Sequence, residues 1–202
     1  HPIPIIGNPD LMPAKSNYYS IAIESRDLSN TYFELYANDV EDMISNILLN
    51  DVYYYDNSDQ ILLYGLNLSY RKLLLSQLNF EFVYSYTDGI SEDIWLLEGI
   101  SNHALNIKLD CQLYNNMNAV FLSRYTSSKH IVEFDSGNKR ELEGHIISDL
   151  IMVNKWKSMH FKYGVKNIFN YLDPYRLDSR SDEHLSSMDP GRRFYFNIGF
   201  SI

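Results

Sequence analysis

The sequence predicts an all-β chain of antiparallel strands, and three features predict it. Apolar and polar residues alternate along one segment after another, as they must where successive side chains of a strand point to opposite faces. These segments run to roughly 9–13 residues, against a mode of about 5–6 for strands of soluble domains. The connections between them alternate short and long. Alternation alone fits a soluble sandwich, one face in a dry core and the other in water. It fits equally a transmembrane barrel, one face in lipid and the other toward a lumen.

The elements follow in order. Gly7 to Ser16, reading GNPDLMPAKS, is turn-rich through Pro9 and Pro13. Tyr18 to Arg26 sets Tyr19, Ile21 and Ile23 against Ser20, Ala22 and Glu24. A short turn over Asp27–Asn30 leads to a strand from Thr31 to Met43 of mixed parity, with Phe33, Leu35 and Ala37 opposite Tyr32, Glu34 and Tyr36. Ile44 to Asp59 reads as a long connection. Gln60 to Arg71 places Leu62, Tyr64, Leu66, Leu68 and Tyr70 on one face. After a tight turn at Lys72–Leu74, Leu75 to Thr87 carries a stripe of Leu78, Phe80, Phe82, Tyr84 and Tyr86. Asp88 to Ser101 is the next long loop. Asn102 to Leu113 alternates Leu105, Ile107, Leu109, Cys111 and Leu113 against Asn106, Lys108, Asp110 and Gln112. Tyr114–Asn116 turns into a strand over Met117–Ser127, and Ser128–Glu141 is a polar loop. Leu142 to Val153, a turn at Asn154–Ser158, and Met159 to Lys166 make the next hairpin. Ile168 to Arg192 is the longest loop. Arg193 to Ile202 closes the chain, with Phe194, Phe196, Ile198, Phe200 and Ile202 on one face and Tyr195, Asn197, Gly199 and Ser201 on the other.

About nine strands result, each long enough for the roughly 9–11 residues that a tilted membrane strand requires. Short turns on one side and long loops on the other are the habit of outer-membrane barrels, and nothing in sandwich topology demands them. Composition agrees. No apolar run approaches the roughly 20 residues of a membrane helix, yet 17 tyrosines, against 2 tryptophans, suit half-polar strand surfaces and membrane-interface girdles. A net charge of −9 argues against a nucleic-acid partner. The single Cys111 excludes an internal disulfide and a paired-cysteine zinc site. The sequence has no Gly-x-Ser-x-Gly, no His-Glu-x-x-His and no Cys–His constellation, so no catalytic residue is assigned and no enzyme is expected.

Two motifs carry a resemblance. Tyr163–Asn170, reading YGVKNIFN, then a long polar loop, then Asp189–Ile202, reading DPGRRFYFNIGFSI, resembles the C-terminus of TonB-dependent outer-membrane receptors. The GNPDLMP stretch resembles the segment that leads into a strand in the C-terminal half of the same family, and YGLNLSY at Tyr64–Tyr70 resembles another of its strands. The resemblance implies the bacterial outer membrane and a barrel of about 22 strands filled by an N-terminal plug. Residues 1–202 would then be the C-terminal segment of that barrel, with no plug domain in this chain. The missing N-terminal part of the receptor, its plug and earlier strands, would be the partner, and TonB would act through that part. Membrane lipid and lipopolysaccharide would surround it, with Arg192 and Arg193 at the outer rim, where they could pair with lipopolysaccharide phosphate or with loop carboxylates. The chain begins at His1 without an initiator methionine, which reads as a processed or partial product. In this family the terminal strand, here Phe194, Phe196, Ile198, Phe200 and Ile202, is what the barrel-assembly machinery reads; Ile202 stands where a Phe is usual.

The function this implies is uptake of a bulky, scarce nutrient such as a ferric siderophore, haem or cobalamin. The chain would contribute strands and outer loops. Candidate ligand-binding residues are Tyr53, Tyr54, Tyr55, Trp95, His130, Tyr175, Arg176 and Arg180, since aromatic rings and guanidinium groups stack on or pair with bulky anionic ligands. Asp56, Tyr171 and His184 are their neighbours in the same loops. Packing of the loops and the interfacial girdle is the competing use of these residues. The histidines are too scattered to predict a metal site, and Asp51, Asp56 and Asp59 lack the glycine of a calcium loop; no metal or cofactor is assigned. Two rival architectures remain: a self-contained small outer-membrane barrel acting as adhesin, pore or enzyme, and a soluble β-sandwich binding module with Leu66, Phe194, Phe196 and Phe200 in a dry core.

Overall fold

The computed structural model describes residues 5–26, 30–49, 52–57, 60–91, 97, 99–132, 139–172 and 191–200. Its strands are β1 (Ile5–Ile6), β2 (Lys15–Ser25), β3 (Asn30–Glu41), β4 (Ile44–Leu49), β5 (Val52–Asn57), β6 (Ile61–Leu75), β7 (Leu78–Ser91), β8 (His103–Tyr114), β9 (Met117–Thr126), β10 (Lys129–Val132), β11 (Lys139–Leu142), β12 (His145–Trp156), β13 (Met159–Lys166) and β14 (Arg193–Phe200). Nine of them form one antiparallel sheet in the order β14-β13-β12-β9-β8-β7-β6-β3-β2. This is an up-and-down meander. Strands adjacent in the wall follow one another in the chain, apart from the small outer sheets inserted between β3 and β6 and between β9 and β12. The nine strands correspond to the nine expected from the alternation.

Register explains why a sheet forms from such a sequence. One row across the wall reads Ile23, Phe33, Leu68, Tyr84, Leu105, Tyr125, Ile146. The neighbouring row, one residue along, reads Ala22, Glu34, Asn67, Ser85, Ala104, Thr126, His145. A slip of one residue at any strand would exchange these two sets, so the pattern of each strand fixes the register of the next. Further along the apolar face, Phe80, Leu109, Phe121, Leu150, Val165 and Phe194 make another continuous row.

The apolar face covers nothing. Among the described residues the buried hydrophobic side chains are Ile61 and Ile131, whereas Ile21 is 74% exposed, Phe194 76% and Phe200 67%. The chain exposes 14496 Å², where a closed monomer of this size would expose about 9,800 Å². The soluble sandwich is thereby corrected: no second layer packs on the sheet among the described residues, Phe194, Phe196 and Phe200 are exposed, and Leu66 is half-buried. A surface this apolar belongs in lipid.

The short connections lie at one end of the wall and the long ones at the other. Ser76–Gln77, Asn115–Asn116 and Lys157–Ser158 are two-residue turns. The turns expected at Lys72–Leu74 and Asn154–Ser158 lie at Ser76–Gln77 and Lys157–Ser158. The Lys72–Leu75 run breaks the alternation and looks like a turn, but β6 continues through it with a register shift between Leu73 and Leu75. Two segments expected as plain loops also carry structure. The 44–59 connection folds into the hairpin β4–β5, against which β1 adds in parallel, and 128–141 contains the hairpin β10–β11. These pairings form small sheets separate from the nine-stranded one, and they satisfy backbone groups that plain loops leave to water.

Two glycines are required by close approach on the polar face. Tyr36 lies opposite Gly65, and Tyr195 opposite Gly164. A Cβ on Gly65 would strike the Tyr86 carbonyl and sit 2.8 Å from the Tyr36 hydroxyl; one on Gly164 would strike the Leu150 carbonyl and sit 3.1 Å from the Tyr195 hydroxyl. Each ring thus lies over the gap left by the facing glycine, the cross-strand arrangement by which an aromatic compensates for glycine in a sheet. Tyr36 then reaches on to share a 2.7 Å hydrogen bond with Thr87. Gly164→Ala is expected to lower the heat-unfolding midpoint of the detergent-solubilised protein, at a cost of about 1–3 kcal/mol for overpacking. Gly199→Ala, where a Cβ meets only His160 Cβ at 4.0 Å, should leave the midpoint in place.

Candidate functional site

The polar face of the wall is where chemistry can occur. Near its middle, Glu34 accepts hydrogen bonds from the Tyr18 hydroxyl at 2.9 Å and the Asn67 amide at 3.0 Å. Toward the short-turn end, Arg71 pairs with Glu81 at 2.8 Å, and Lys108 approaches the same carboxylate at 3.9 Å. Just past β2, Arg26 forms a double hydrogen bond with Glu24, both at 2.9 Å; those bonds and the carboxylate charge raise the guanidinium pKa above its ordinary value. Such a surface of paired charges, amides and hydroxyls suits a hydrated lumen or a polar domain inside it.

The outer end carries the residues singled out in the sequence. Tyr53, Tyr54 and Tyr55 are successive residues of β5; Tyr54 is half-buried and Tyr55 exposed. His130 is exposed on β10, and its carbonyl accepts the Gly99 N–H at 2.9 Å. These residues stand on two separate small sheets, β1–β5–β4 and β10–β11. Trp95, Tyr175, Arg176, Arg180 and His184 lie outside the described residues, as does Ile202. Tyr171 stacks on His145, ring centres 4.3 Å apart and planes 7° apart, which places this loop residue against a polar-face residue of β12. Among the described residues no group of three or more His, Cys, Asp or Glu side chains is placed to hold a metal.

Both signature motifs turn out to be joints. Asn57 ties the GNPDLMP segment down: its amide donates to the Met12 carbonyl at 2.8 Å and to the Asp42 carbonyl at 2.7 Å, and its side-chain oxygen accepts the Met12 N–H at 2.8 Å. Asn8 starts the segment by accepting the Asp10 N–H at 2.9 Å, an Asx turn. In the VKNIFN motif, buried Asn167 is a hub. Its N–H donates to Asp149 at 2.8 Å, its amide donates to the Tyr171 carbonyl at 2.8 Å, and its side-chain oxygen accepts the Tyr171 N–H at 2.9 Å. Asn170 accepts the Arg192 N–H at 2.9 Å and thus joins the two ends of the long loop. Both asparagines hold positive φ, 51° and 57°, which asparagine tolerates better than most residues. Sequence reasoning saw the motifs but not these roles; the signal was the pair of asparagines three residues apart just after a strand.

The matching family model is the TonB dependent receptor-like, beta-barrel family, over residues 1–168. The chain belongs to this family. Its place is therefore the bacterial outer membrane, and the apolar face is the face toward lipid. The remaining strand, beyond the matched region, is covered by structural likeness. The siderophore receptor PirA from Acinetobacter baumannii superposes with a TM-score of 0.77 at 16% identity, covering 98% of this chain and 33% of the other. A variant of the ferric enterobactin receptor PfeA from Pseudomonas aeruginosa, in complex with enterobactin, gives 0.74 at 18%, covering 96% and 32%. The ferric-catecholate import receptor Fiu from Escherichia coli gives 0.65 at 17%, covering 81% and 24%. No curated protein matches the sequence significantly. The chain thus spans about a third of the length of the first two receptors. Identities this low establish a shared fold and nothing finer.

The Asn167 hub gives a sharp expectation. Asn167→Ala leaves the Tyr171 N–H and carbonyl without their partner and puts alanine at positive φ, a combined cost of about 2–4 kcal/mol. The heat-unfolding midpoint of the detergent-solubilised receptor should fall accordingly. Phe169→Ala, two residues away and 67% exposed, should shift it far less.

Proposed function

We propose that residues 1–202 are the last nine wall strands and outer loops of a TonB-dependent outer-membrane receptor that imports a ferric siderophore or a similarly bulky iron chelate. The observation that carries this reading is the sheet itself. It has an apolar outer face, a polar inner face, and two edges, β2 and β14, that pair with nothing among the described residues. An open edge in hydrocarbon strands a row of unpaired N–H and C=O groups, so other strands must complete the wall. The chain superposes on about a third of the length of receptors of this kind, which supports a larger whole. The ligands these receptors are named for, siderophores and ferric enterobactin, support an iron chelate over haem or cobalamin. In this reading the missing portion supplies the plug and the contact with TonB, and the transport is powered through that portion.

The test is extraction of the source membranes with detergent, native purification, and denaturing mass measurement of whatever carries this sequence. The expected result is a receptor-sized assembly, either one long polypeptide or two associated ones. A folded, heat-stable 202-residue species alone would overturn the reading in favour of a small self-contained barrel. A chain that stays in the aqueous fraction would overturn the membrane placement as well.

Cargo contacts are assigned to the outer sheets. Tyr55, exposed on β5, is placed to stack on an aromatic or chelate ligand. Tyr55→Ala is expected to weaken binding of a ferric catecholate by about 0.5–1.5 kcal/mol. Tyr114→Ala, at the short-turn rim, should leave the affinity unchanged, as read by fluorescence quenching on the intact receptor.

A further inference from the structure

The GNPDLMP stretch links the outer sheet to the wall. Before it comes β1, which lies parallel to β5 with Ile5 beside Tyr53 and Ile6 beside Tyr54. Residues 7–14 then lead to β2 at Lys15. β2 pairs with β3, β3 leads through Asp42 to β4, β4 pairs with β5, and β5 returns to β1. The path is a closed ring of chain segments and strand pairings. It joins the outer sheet to the first wall hairpin at two corners, residues 7–14 and residues 42–43.

One side chain bonds both corners. The Asn57 amide on β5 donates to the Met12 carbonyl at 2.8 Å and to the Asp42 carbonyl at 2.7 Å, and its oxygen accepts the Met12 N–H at 2.8 Å. Both donors and the acceptor therefore hold backbone outside the β4–β5 hairpin. The Asp42 corner needs such support. Its φ is 54° in a residue that is not glycine, a conformation that persists where its surroundings hold it. Lys15 reaches the Asp42 carboxylate at 3.2 Å, but a largely exposed pair of this kind adds little. Asn8 meets Asp56 only at 3.5 Å.

Tyr55 stands two residues before Asn57 on β5, so the two share a face, and Tyr55 is exposed. A hairpin that stands on the wall by its base swings about that base, and a ring already oriented loses less freedom when it binds. We propose that Asn57 is a positioning residue: by locking residues 7–14 and the Asp42 corner to β5, it holds Tyr55 in the orientation that stacks on a ring-bearing iron chelate. This rests on the reading of the chain as part of an iron-chelate receptor with Tyr55 against the cargo.

The experiment uses the intact receptor in detergent, with Cys111→Ala and nitroxide labels at Ile6→Cys on β1 and Ile21→Cys on β2. Pulsed dipolar spectroscopy reads the spread of distances across residues 7–14, and fluorescence quenching by a ferric catecholate reads affinity on the unlabelled receptor. Asn57→Ala is expected to broaden the distances and to weaken binding about three- to tenfold, the loss for a sheet that is competent about a third to a tenth of the time. Asn57→Asp keeps the acceptor for the Met12 N–H but sets a carboxylate against two carbonyls, so it should weaken binding at least as much. In a Tyr55→Ala receptor, Asn57→Ala should weaken binding no further, because its effect passes through Tyr55. The heat-unfolding midpoint should stay near that of the wild type, since the outer sheet is separate from the nine-stranded wall. Three results would overturn the proposal: distances unchanged in Asn57→Ala; affinity unchanged although the distances broaden; or an equal loss of affinity in the Tyr55→Ala background. A wild-type receptor that does not bind the catecholate overturns the cargo reading and the role of Tyr55 with it. Unchanged binding by Asn57→Ala in a receptor that does bind overturns the positioning role alone.

Discussion

Every backbone N–H and C=O that enters hydrocarbon needs a partner within the protein, because lipid offers none. Everything in this structure depends on how that requirement is met. Nine strands satisfy one another in one antiparallel sheet, and the contrast between its two faces holds their register except beside two short turns, where it shifts between Leu73 and Leu75 and between Gln112 and Tyr114. Stability here does not come from a hydrophobic core. The large apolar side chains face outward, where burial is supplied by the membrane. The same requirement makes β2 and β14 the most informative feature, since neither edge has a further partner strand among the described residues.

The polar face solves a different problem. Without a packed interior, its side chains must fix one another. Tyrosines lie over facing glycines, Glu34 gathers a hydroxyl and an amide, and Asn167 closes the mouth of the last hairpin with three hydrogen bonds. These contacts stiffen the wall from its polar side.

The barrel wall was legible in the sequence because period-2 alternation reports directly on two faces with different surroundings. Strands such as Arg193–Phe200, where Phe194, Phe196, Ile198 and Phe200 share one side, leave little freedom. Boundaries were less legible. Lys72–Leu75 looks like a turn since three leucines in a row have no parity, yet the ladder runs through them and turns at Ser76–Gln77. The outer hairpins β4–β5 and β10–β11 leave no such signal for a related reason: ISNILL, VYYYDN, KHIV and KREL pair as strands without period-2 alternation. Of the candidate site, Tyr54, Tyr55 and His130 lie at the outer end as expected, on two different sheets. The hubs Asn57 and Asn167 were invisible as hubs, because asparagine reads as a turn residue whether it caps one turn or ties two segments together.

The central claim is that the row through Ile21, Leu35 and Leu66 meets lipid while the row through Ala22, Glu34 and Asn67 meets water or protein. The most direct measurement places a nitroxide label at each of these positions in turn, in the receptor reconstituted in bilayers, and compares collisions with oxygen and with a water-soluble nickel chelate. The account predicts high oxygen and low nickel accessibility at positions 21, 35 and 66, with the ratio reversed at 22, 34 and 67. Nickel accessibility equal on both faces would contradict it and return the chain to water.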